Sequence, residues 1–285
     1  MSQASTHSAG QLDAYLLSAL QAAIKAGQEI LLVYASDFRV EFKDDSSPLT
    51  KADKNAHEAI ARSLAHLGIP LLSEEGSSIP YAERKDLPLL WIVDPLDGTK
   101  EFVKKNGEFT VNIALIQNHR PVLGVIYQPT THLLYWGCEG QGAYKRQLTP
   151  EFIGPDKLSE WMDSAQQLPL SPGGTDMKVS CSRSHLNEAT SRFVSRLKKE
   201  HDPVTFVQAG SSLKFCHVAE GTADLYPRFG PTMEWDTAAG QAIVTCAGGT
   251  VLSCDTRQEM NYNREELRNG SFLVTRQGRD GSSFI

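Results

Sequence analysis

The sequence predicts a protein of mixed α and β structure built in two halves. The first half combines helices with a meander of strands, an α+β arrangement, and the second alternates strands with helices, an α/β arrangement. Between them, residues 146–177 carry little pattern and several prolines, together with Gly173-Gly174, as is typical of a domain boundary or a surface excursion. We therefore predict halves at residues 1–145 and 146–285, in a chain of ordinary globular composition, 40% hydrophobic and 22% charged.

The first half begins with helical periodicity. Residues 1–10 are small and polar and are predicted to be disordered, whereas apolar residues recur at helical spacing over 12–33. Residues 38–42 alternate as in a strand, and a second helix is predicted over about 52–67, ended by Gly68.

A buried strand then leads into an acidic motif. Residues 89–93, Leu-Leu-Trp-Ile-Val, form a continuous apolar segment that stops at Asp94. Residues 109–116, 122–127 and 133–136 follow as further strands, separated by turn residues. The acidic motif is therefore predicted at the end of a strand, facing a cleft.

The second half shows the alternation of an α/β unit. Residues 178–181 and 204–207 are strand-like, and residues 188–199 and 212–220 are helix-like. Near Asp236, small residues indicate the start of another helix.

The charge pattern and the cysteines bound the function. The formal net charge of -6 comes from 34 acidic and 28 basic residues without a long run of one sign, so duplex DNA or RNA is not an expected partner. A small anionic ligand is not excluded, because a few cations or a bound metal reverse the sign of the electrostatic field inside one cleft. Five cysteines without a Cys-x-x-Cys pair indicate reduced thiols and a cytoplasmic protein.

The sequence predicts no integral membrane segment. The N-terminus lacks the positive start and the apolar stretch of a secretory signal, and no run of eighteen apolar residues was found. Peripheral attachment to the inner membrane is left open, since no anchor is visible in the sequence.

The acidic motif suggests metal chemistry. Asp94 and Asp97 lie three residues apart, followed by Gly98, which lets the backbone turn, and Thr99, which supplies a hydroxyl. Hard oxygen ligands of this kind suit magnesium, especially when a substrate phosphate completes the coordination shell. Alone, an Asp-Pro or Asp-Gly pair is most often only a turn.

Two further acids favour the metal interpretation. Glu74 follows the apolar stretch 69–72, and Asp236 lies near the start of the predicted small-residue helix. Glu74 alone would be a solvated surface acid in most proteins. The combination of three acidic clusters with an apolar strand that runs into one of them shifts the balance towards a site.

Other phosphate-handling and hydrolytic motifs are absent from the sequence. A haloacid-dehalogenase phosphatase needs Asp-x-Asp, whereas the spacing here is Asp-x-x-Asp. Neither a P-loop nor a dinucleotide-binding glycine motif follows a strand, and the Gly-x-Ser-x-Gly elbow of serine hydrolases does not occur.

The motifs resemble the inositol monophosphatase superfamily, whose signature is an apolar strand, Asp-Pro-x-Asp-Gly-Thr and a distant Trp-Asp-x-Ala-Ala-Gly, here Trp235–Gly240. Within it, residues 94–102 resemble the 3'(2'),5'-bisphosphate nucleotidases. Residues 210–215 and 225–229 look like their bacterial CysQ type. The likeness extends from Lys43 to about residue 249.

The resemblance implies a fold and a metal site. The fold is an αβαβα layered sandwich of the inositol monophosphatase and sugar phosphatase type, with a metal-binding half (1–145), a substrate-binding half (146–285) and the site between them. Two or three Mg²⁺ ions are the implied cofactor. The implied metal ligands are Glu74, Asp94, the Leu96 carbonyl, Asp97 and Asp236.

The resemblance also implies the other site residues. Asp53 and Thr99, with Glu74, would orient and deprotonate the attacking water. Lys43 is a weak candidate near the metals, and Arg228 with Phe229 would frame the cleft. The implied substrate-binding residues are Glu74, Leu96, Asp97, Gly98, Thr99, Ser182, His185, Gly210, Lys214 and Asp236. A surface position for His185, a solvated Lys214 and a simple turn at Gly210 are the alternatives.

The leading hypothesis is hydrolysis of adenosine 3',5'-bisphosphate to AMP and phosphate, which by resemblance would serve sulfur assimilation. Lys100-Glu101 after Thr99 favours this substrate. An inositol monophosphatase or a related small sugar phosphatase, such as a fructose-bisphosphatase, is the alternative enzyme. A catalytically inactive metal or nucleotide binder is the alternative outside enzymes. A monomer or a homodimer is expected.

Overall fold

The computed structural model describes residues 9–36, 40–42, 48–171, 176–182, 187–201 and 203–285. The fold is a stack of five layers around two sheets, one of seven strands and one of five. Two small antiparallel pairs of strands complete it. The αβαβα sandwich that the sequence implied is confirmed by these layers.

The helices flank and separate the two sheets. They are α1 (Ala9–Tyr34), α2 (Lys51–Leu64), α3 (Tyr81–Arg84), α4 (Thr99–Val103), α5 (Leu158–Met162), α6 (Glu188–Glu200), α7 (Leu213–Glu220) and α8 (Glu234–Cys246). Short 3-10 turns cover Ala65–Leu67, Pro129–Thr131 and Gly281–Ser283.

The strands follow in chain order. They are β1 (Val40–Phe42), β2 (Pro48–Thr50), β3 (Leu71–Ser73), β4 (Leu89–Asp97), β5 (Thr110–Gln117), β6 (Arg120–Gln128), β7 (Leu133–Cys138), β8 (Gly142–Gln147), β9 (Gln166–Leu168), β10 (Met177–Cys181), β11 (Val204–Gln208), β12 (Leu225–Arg228), β13 (Thr232–Met233), β14 (Thr250–Ser253), β15 (Arg268–Asn269) and β16 (Phe272–Thr275). The large sheet has the order β3 to β9, and the small sheet has the order β11-β10-β12-β16-β14.

Side-chain alternation along the strands separates the layers. On β4, Trp91 and Val93 face a core formed with α1 and α2, whereas Leu90 and Ile92 face α7 and α8 on the other side of the sheet. The small sheet closes this second core, and its outer face packs on α6 through residues such as Leu197. The continuous apolar run of β4 is therefore explained by burial on both faces.

Most predicted elements are confirmed with shifts of a few residues. Helix α1 begins at Ala9, so Gly10, predicted to be disordered, lies in the helix. The predicted strand over 38–42 is described only for Val40–Phe42. Strands β8 and β9 were missed, because Gly142–Gln147 mixes polar and charged residues and Gln166–Leu168 has only three residues. The boundary at 145/146 stays a prediction, and β9, which follows it, still belongs to the large sheet.

Strand β4 differs from the prediction at its end. It was expected to stop before Asp94, but it continues to Asp97, which pairs with Thr110 of β5. Between the pairs Asp94–Asn112 and Asp97–Thr110, β4 holds one residue more than β5. This bulge includes Pro95, which has no N–H to donate to the ladder.

Helix α1 is long and apolar enough to cross a membrane, judged by length and composition, over Gly10–Tyr34. In this fold 56% of the apolar stretch is buried, and residues such as Leu16 and Leu20 are wholly enclosed in the core beside α2. Burial of this kind is typical of a core helix in a water-soluble protein.

Helix α8 lies very close to the large sheet and to α7. A Cβ at Gly124 of β6 would lie 2.4 Å from the Ala239 carbonyl oxygen and 2.8 Å from the Ala242 Cβ. A Cβ at Gly240 would lie 2.3 Å from the Phe215 ring. Small residues in α8 and glycine in β6 are therefore requirements of packing.

We expect Gly124→Ala to destabilise the protein by about 1–3 kcal/mol, because the added methyl group meets backbone that has no room to move. Equilibrium unfolding in urea measures the difference. Gly10→Ala is the matched control, because a Cβ there has no heavy-atom neighbour within 4 Å. Equal stability of the Gly124 variant and the wild type would contradict the close approach of α8.

Candidate metal centre

Two parallel strands bring the first two acids together. In the register of β3 and β4, Ser73 lies opposite Val93, so Glu74 follows beside Asp94 at the same edge of the sheet. The Glu74 N–H donates to the Val93 carbonyl over 3.1 Å and continues the ladder. The Ser73 hydroxyl lies 2.9 Å from His57 Nδ1 of α2, which ties the end of β3 to that helix.

The bulge in β4 places Asp97 with Asp94. In a regular strand, residues three apart face opposite sides of the sheet. The extra residue in the bulge reverses this alternation, so both carboxylates are turned to the same side. Gly98 follows with φ of +92°, a left-handed conformation that lets the chain turn directly into α4 at Thr99.

Asp236 arrives from the other half of the chain. It lies in the first turn of α8, where its Oδ2 accepts a hydrogen bond from the Met233 N–H over 2.9 Å. The N-terminus of a helix stabilises a negative charge. The close packing of α8 on the large sheet carries this carboxylate to the acids of β4.

The acids repel one another strongly. Burial raises the pKa of Asp94 well above its usual range, and the charges of Glu74 and Asp97, followed by Asp236 and Asp53, raise it further. Burial and the charge of Asp97 also raise the pKa of Asp236, to about 8. Bound cations would relieve this repulsion, so the electrostatics favour a metal.

The hydrogen bonds leave one oxygen of each aspartate available. Asp94 uses Oδ1 to accept from the Leu96 N–H over 3.0 Å, and Asp236 uses Oδ2. Asp97 uses Oδ2 alone. Within the described part of the chain, the second oxygen of each of these three aspartates has no hydrogen-bond donor. An oriented carboxylate with one unused oxygen is a suitable ligand for Mg²⁺.

The site is not a closed cage of protein ligands. Among the described residues, no three histidine, cysteine or acidic side chains surround a single point as a finished metal site. Mg²⁺ usually keeps several waters and takes one or two carboxylates together with substrate phosphate. The donor set therefore fits magnesium in an open site that water and substrate complete.

Asp53 and Thr99 form a second polar pair beside the acids. Asp53 of α2 accepts at Oδ2 from the Thr50 N–H over 2.8 Å and from the Thr50 hydroxyl over 2.7 Å, as the third residue of a capping box. The Thr99 hydroxyl lies 3.3 Å from Asp53 Oδ1 and 3.3 Å from the Leu96 carbonyl oxygen. Burial raises the pKa of Asp53, while the hydrogen bonds from Thr50 oppose the shift.

Asp97 is held by side chains from both halves of the protein. Its Oδ2 accepts from the Ser211 hydroxyl over 2.6 Å, from the Ser212 hydroxyl over 2.7 Å and from Asn112 Nδ2 over 3.3 Å. Asn112 also donates to the Ser212 oxygen over 2.9 Å. The carboxylate is thereby fixed at a point where β4, β5 and the turn before α7 meet.

Lys214, expected to contact a phosphate, lies in the first turn of α7, and the phosphate contact stays a prediction. The side chain is buried, and its Nζ donates to the Ser211 carbonyl and lies 3.5 Å from the Ala209 carbonyl oxygen. Burial lowers the Lys214 pKa to about 8. Gly210 donates its N–H to Glu108 Oε2 over 2.9 Å. Both residues therefore stabilise the turn at the site.

The remaining predicted residues fall in different places. Ser182 lies directly after β10, whereas Lys43 and His185 lie outside the described residues. Arg228 ends β12, and its Nε is buried without a partner among the described residues. Glu234 is separate from the acidic cluster, because its carboxylate pairs with Arg264 over 2.9 Å.

Sequence reasoning missed Thr50, Asn112, Ser211 and Ser212. Thr50 is the helix N-cap, and a threonine three residues before Asp53 is a capping signal. Asn112 is a buried polar residue in the otherwise apolar β5, which marks it as exceptional. Ser211 and Ser212 were noted only as members of the motif at residues 210–215, without a role of their own.

Comparisons with known proteins agree with this geometry. A sequence model of the inositol monophosphatase family matches residues 11–280. The 3'(2'),5'-bisphosphate nucleotidase CysQ of Salmonella typhimurium is 43% identical over 259 residues, which cover 90% of this chain and 97% of that protein.

Solved structures share the fold. The crystal structure of CysQ from Bacteroides thetaiotaomicron, a bacterial member of the inositol monophosphatase family, has a TM-score of 0.86 and 46% identity. The match covers 94% of this chain and 98% of that one. An IMPase/NADP phosphatase complexed with Mg²⁺ and phosphate has a TM-score of 0.69 at 20% identity, covering 93% and 90% of the chains, and shows the fold alone.

We expect Asp94→Asn to be more stable than the wild type in EDTA at about pH 8, and the advantage to shrink towards about pH 5. The folded-state pKa of Asp94 is raised, so the folded wild type holds more protons and loses stability as the pH rises through that pKa. Each unit of the raised pKa costs about 1.4 kcal/mol above both pKa values.

Urea unfolding at a series of pH values measures this difference. Asp86→Asn is the control, because the Asp86 side chain is 89% exposed. Parallel pH profiles for the wild type and the Asp94 variant would show that neither burial nor the neighbouring acids raise the pKa of Asp94 in the folded protein.

Proposed function

The chain belongs to the inositol monophosphatase family, and on that premise we propose that it hydrolyses 3'(2'),5'-bisphosphate nucleotides, with adenosine 3',5'-bisphosphate as substrate and AMP and phosphate as products. The observation that carries this proposal is the cluster of Glu74, Asp94, Asp97 and Asp236, in which each aspartate keeps one oxygen without a donor among the described residues. By the same resemblance, the enzyme serves sulfur assimilation.

Magnesium is the proposed cofactor. The family depends on it, and the distant relative named above was crystallised with Mg²⁺ and phosphate. We assign Glu74, Asp94, the Leu96 carbonyl, Asp97 and Asp236 as ligands of two or three ions. When bound, the ions supply positive charge that acidifies water and offsets the charge of the phosphate ester.

The protein groups position and deprotonate the attacking water. The Thr99 hydroxyl lies 3.3 Å from both Asp53 Oδ1 and the Leu96 carbonyl oxygen, and we assign its proton to Asp53 Oδ1, which leaves its lone pairs to accept a hydrogen bond from the water. Asp53 takes up the proton that the water releases, and its raised pKa suits a general base. Water attacks phosphorus, the bond from phosphorus to the ribose 3' oxygen breaks, and that oxygen takes up a proton from solvent, which yields AMP and phosphate without a covalent enzyme intermediate.

The nucleotide side of the site lies in the second half. The relatives at 43% and 46% identity carry the CysQ name, whereas the relative at 20% identity shares only the fold. Arg228 is a cation at the cleft whose charge acts on both Asp236 and Lys214. We assign it to the second phosphate of the substrate, with Ser182 and Gly210 as further wall residues.

We expect magnesium-dependent release of phosphate from adenosine 3',5'-bisphosphate, with much slower release from inositol monophosphate at matched concentration. Asp53→Asn is expected to lower kcat by about 10²–10⁴-fold, because the general base is lost. The Mg²⁺-induced increase in Tm should persist in this variant, since Asp53 is not a proposed ligand.

Steady-state phosphate assays and thermal unfolding with and without Mg²⁺ test both statements. Glu188→Gln is the control acid, because the Glu188 side chain is 83% exposed. Faster hydrolysis of inositol monophosphate than of adenosine 3',5'-bisphosphate would overturn the substrate assignment. Full activity in EDTA would overturn the metal-dependent mechanism.

We expect Arg228→Met to raise KM for adenosine 3',5'-bisphosphate by about 10–100-fold, the range for a lost hydrogen bond to a charged group. Adenosine 3'-monophosphate lacks the second phosphate, so its KM should change far less. Arg192→Met is the control, because the Arg192 side chain is 69% exposed on α6. An equal rise in KM for both substrates would show that Arg228 does not bind the second phosphate.

A further inference from the structure

We propose that Ser211 and Ser212 are positioning residues that hold Asp97 in the orientation required for metal binding. The inference rests on the proposed function, because it takes Asp97 as a magnesium ligand. It adds two side chains from the second half of the protein to the support of the metal site.

Three hydrogen-bond donors converge on one oxygen of Asp97. The hydroxyls of Ser211 and Ser212 lie 2.6 and 2.7 Å from Asp97 Oδ2, and Asn112 Nδ2 lies 3.3 Å from it. Within the described chain, Oδ1 has no donor. Short hydrogen bonds from hydroxyls to a carboxylate are among the strong ones in proteins, so they fix which oxygen is left for an ion.

The two serine hydroxyls belong to a network of polar side chains. Asn112 Nδ2 donates to the Ser212 oxygen over 2.9 Å, which leaves the Ser212 proton for an acceptor, and the acceptors within reach are Asp97 Oδ2 at 2.7 Å and the Asp236 carbonyl oxygen at 2.9 Å. Thr110 Oγ1 lies 2.6 Å from the Ser211 oxygen and 2.9 Å from Asn112 Oδ1. With the Ser211 proton on Asp97 Oδ2, 2.6 Å away, Thr110 donates to the Ser211 oxygen or to Asn112 Oδ1. Thr110, Asn112 and Ser212 are buried, so the network leaves little freedom to the Asp97 carboxylate.

The turn before α7 has an uncommon backbone conformation that its neighbours hold in place. Ser211 has φ of +51°, which is uncommon for any residue but glycine, so the surrounding contacts must impose it. Glu108 accepts from the Gly210 N–H at one side, and buried Lys214 donates to the Ser211 carbonyl at the other. Residues that orient a metal ligand contribute about 10–100-fold to metal affinity.

A contact role towards the nucleotide is the competing explanation for the same serines. The two roles differ in what they change. A positioning role weakens Mg²⁺ binding and leaves KM for the nucleotide unchanged at saturating Mg²⁺. A contact role raises KM and leaves the affinity for Mg²⁺ unchanged.

The test uses Ser212→Ala and Ser211→Gly, the second of which removes the hydroxyl and keeps the left-handed backbone without strain. We expect the dissociation constant for Mg²⁺, measured by calorimetry on the whole protein without substrate, to rise by about 10–100-fold in each. At saturating Mg²⁺, we expect KM for adenosine 3',5'-bisphosphate to stay within about twofold of the wild type. Ser212→Thr, which restores the hydroxyl, should recover most of the Mg²⁺ affinity.

Ser195→Ala is the control, because the Ser195 hydroxyl is exposed on α6 and bonds only its own helix. Unchanged Mg²⁺ affinity in both serine variants, with a wild type that binds Mg²⁺, would overturn this inference alone. A wild type that neither binds Mg²⁺ nor releases phosphate would overturn the proposed function. Circular dichroism of each variant in EDTA shows that the fold is retained, so a loss of affinity is not a loss of structure.

Discussion

The mutual repulsion of four carboxylates is the constraint that the site must satisfy. Asp94 is buried, and Glu74, Asp97 and Asp236 all raise the cost of its charge. Each of the three aspartates is held by donors from its own surroundings, a backbone N–H for Asp94 and Asp236 and three side chains for Asp97. The hydrogen bonds fix the geometry without neutralising the charge. A bound cation would remove the unfavourable free energy of that repulsion. The arrangement of acids that destabilises the metal-free protein would therefore strengthen metal binding.

The packing of α8 determines whether the four acids meet at all. Asp236 belongs to a helix between the two sheets, and its distance from the β4 acids depends on how closely that helix approaches. Gly124 permits backbone contact with Ala239, and Gly240 receives the Phe215 ring. A single added methyl group at either glycine would press on atoms that also place Asp236. Small residues in the second motif, Ala-Ala-Gly, are therefore part of the metal site through packing, although none of them offers an oxygen ligand by its side chain.

The sequence predicted many of the helices and strands because burial leaves a periodic trace. Helices α1 and α2 and the meander of strands follow apolar spacing, and the family signature carries the five-layer order. The β4 bulge left no such trace, since an apolar strand followed by Asp-Pro reads as a strand that ends. Ser211 and Ser212 were missed because they lie 114 and 115 residues along the chain from Asp97, and local patterns do not record contacts over such distances. Lys214 was predicted to contact a phosphate, with a solvated charge as the alternative, and its burial depends on the tertiary environment of the turn, which local sequence does not record.

The proposed chemistry and the proposed substrate recognition use residues from both predicted halves of the chain. The β4 acids, Asp53 and Thr99 come from the first half, and Asp236 and the serines that hold Asp97 come from the second. The predicted division into a metal-binding and a substrate-binding half therefore does not separate the two tasks physically, because Asp97 depends on hydrogen bonds from the substrate side. A turn that both borders the proposed nucleotide pocket and holds a proposed metal ligand links occupancy of one to the geometry of the other. Such a link requires that the two halves keep their relative position, which the enclosed α8 and its glycine contacts provide.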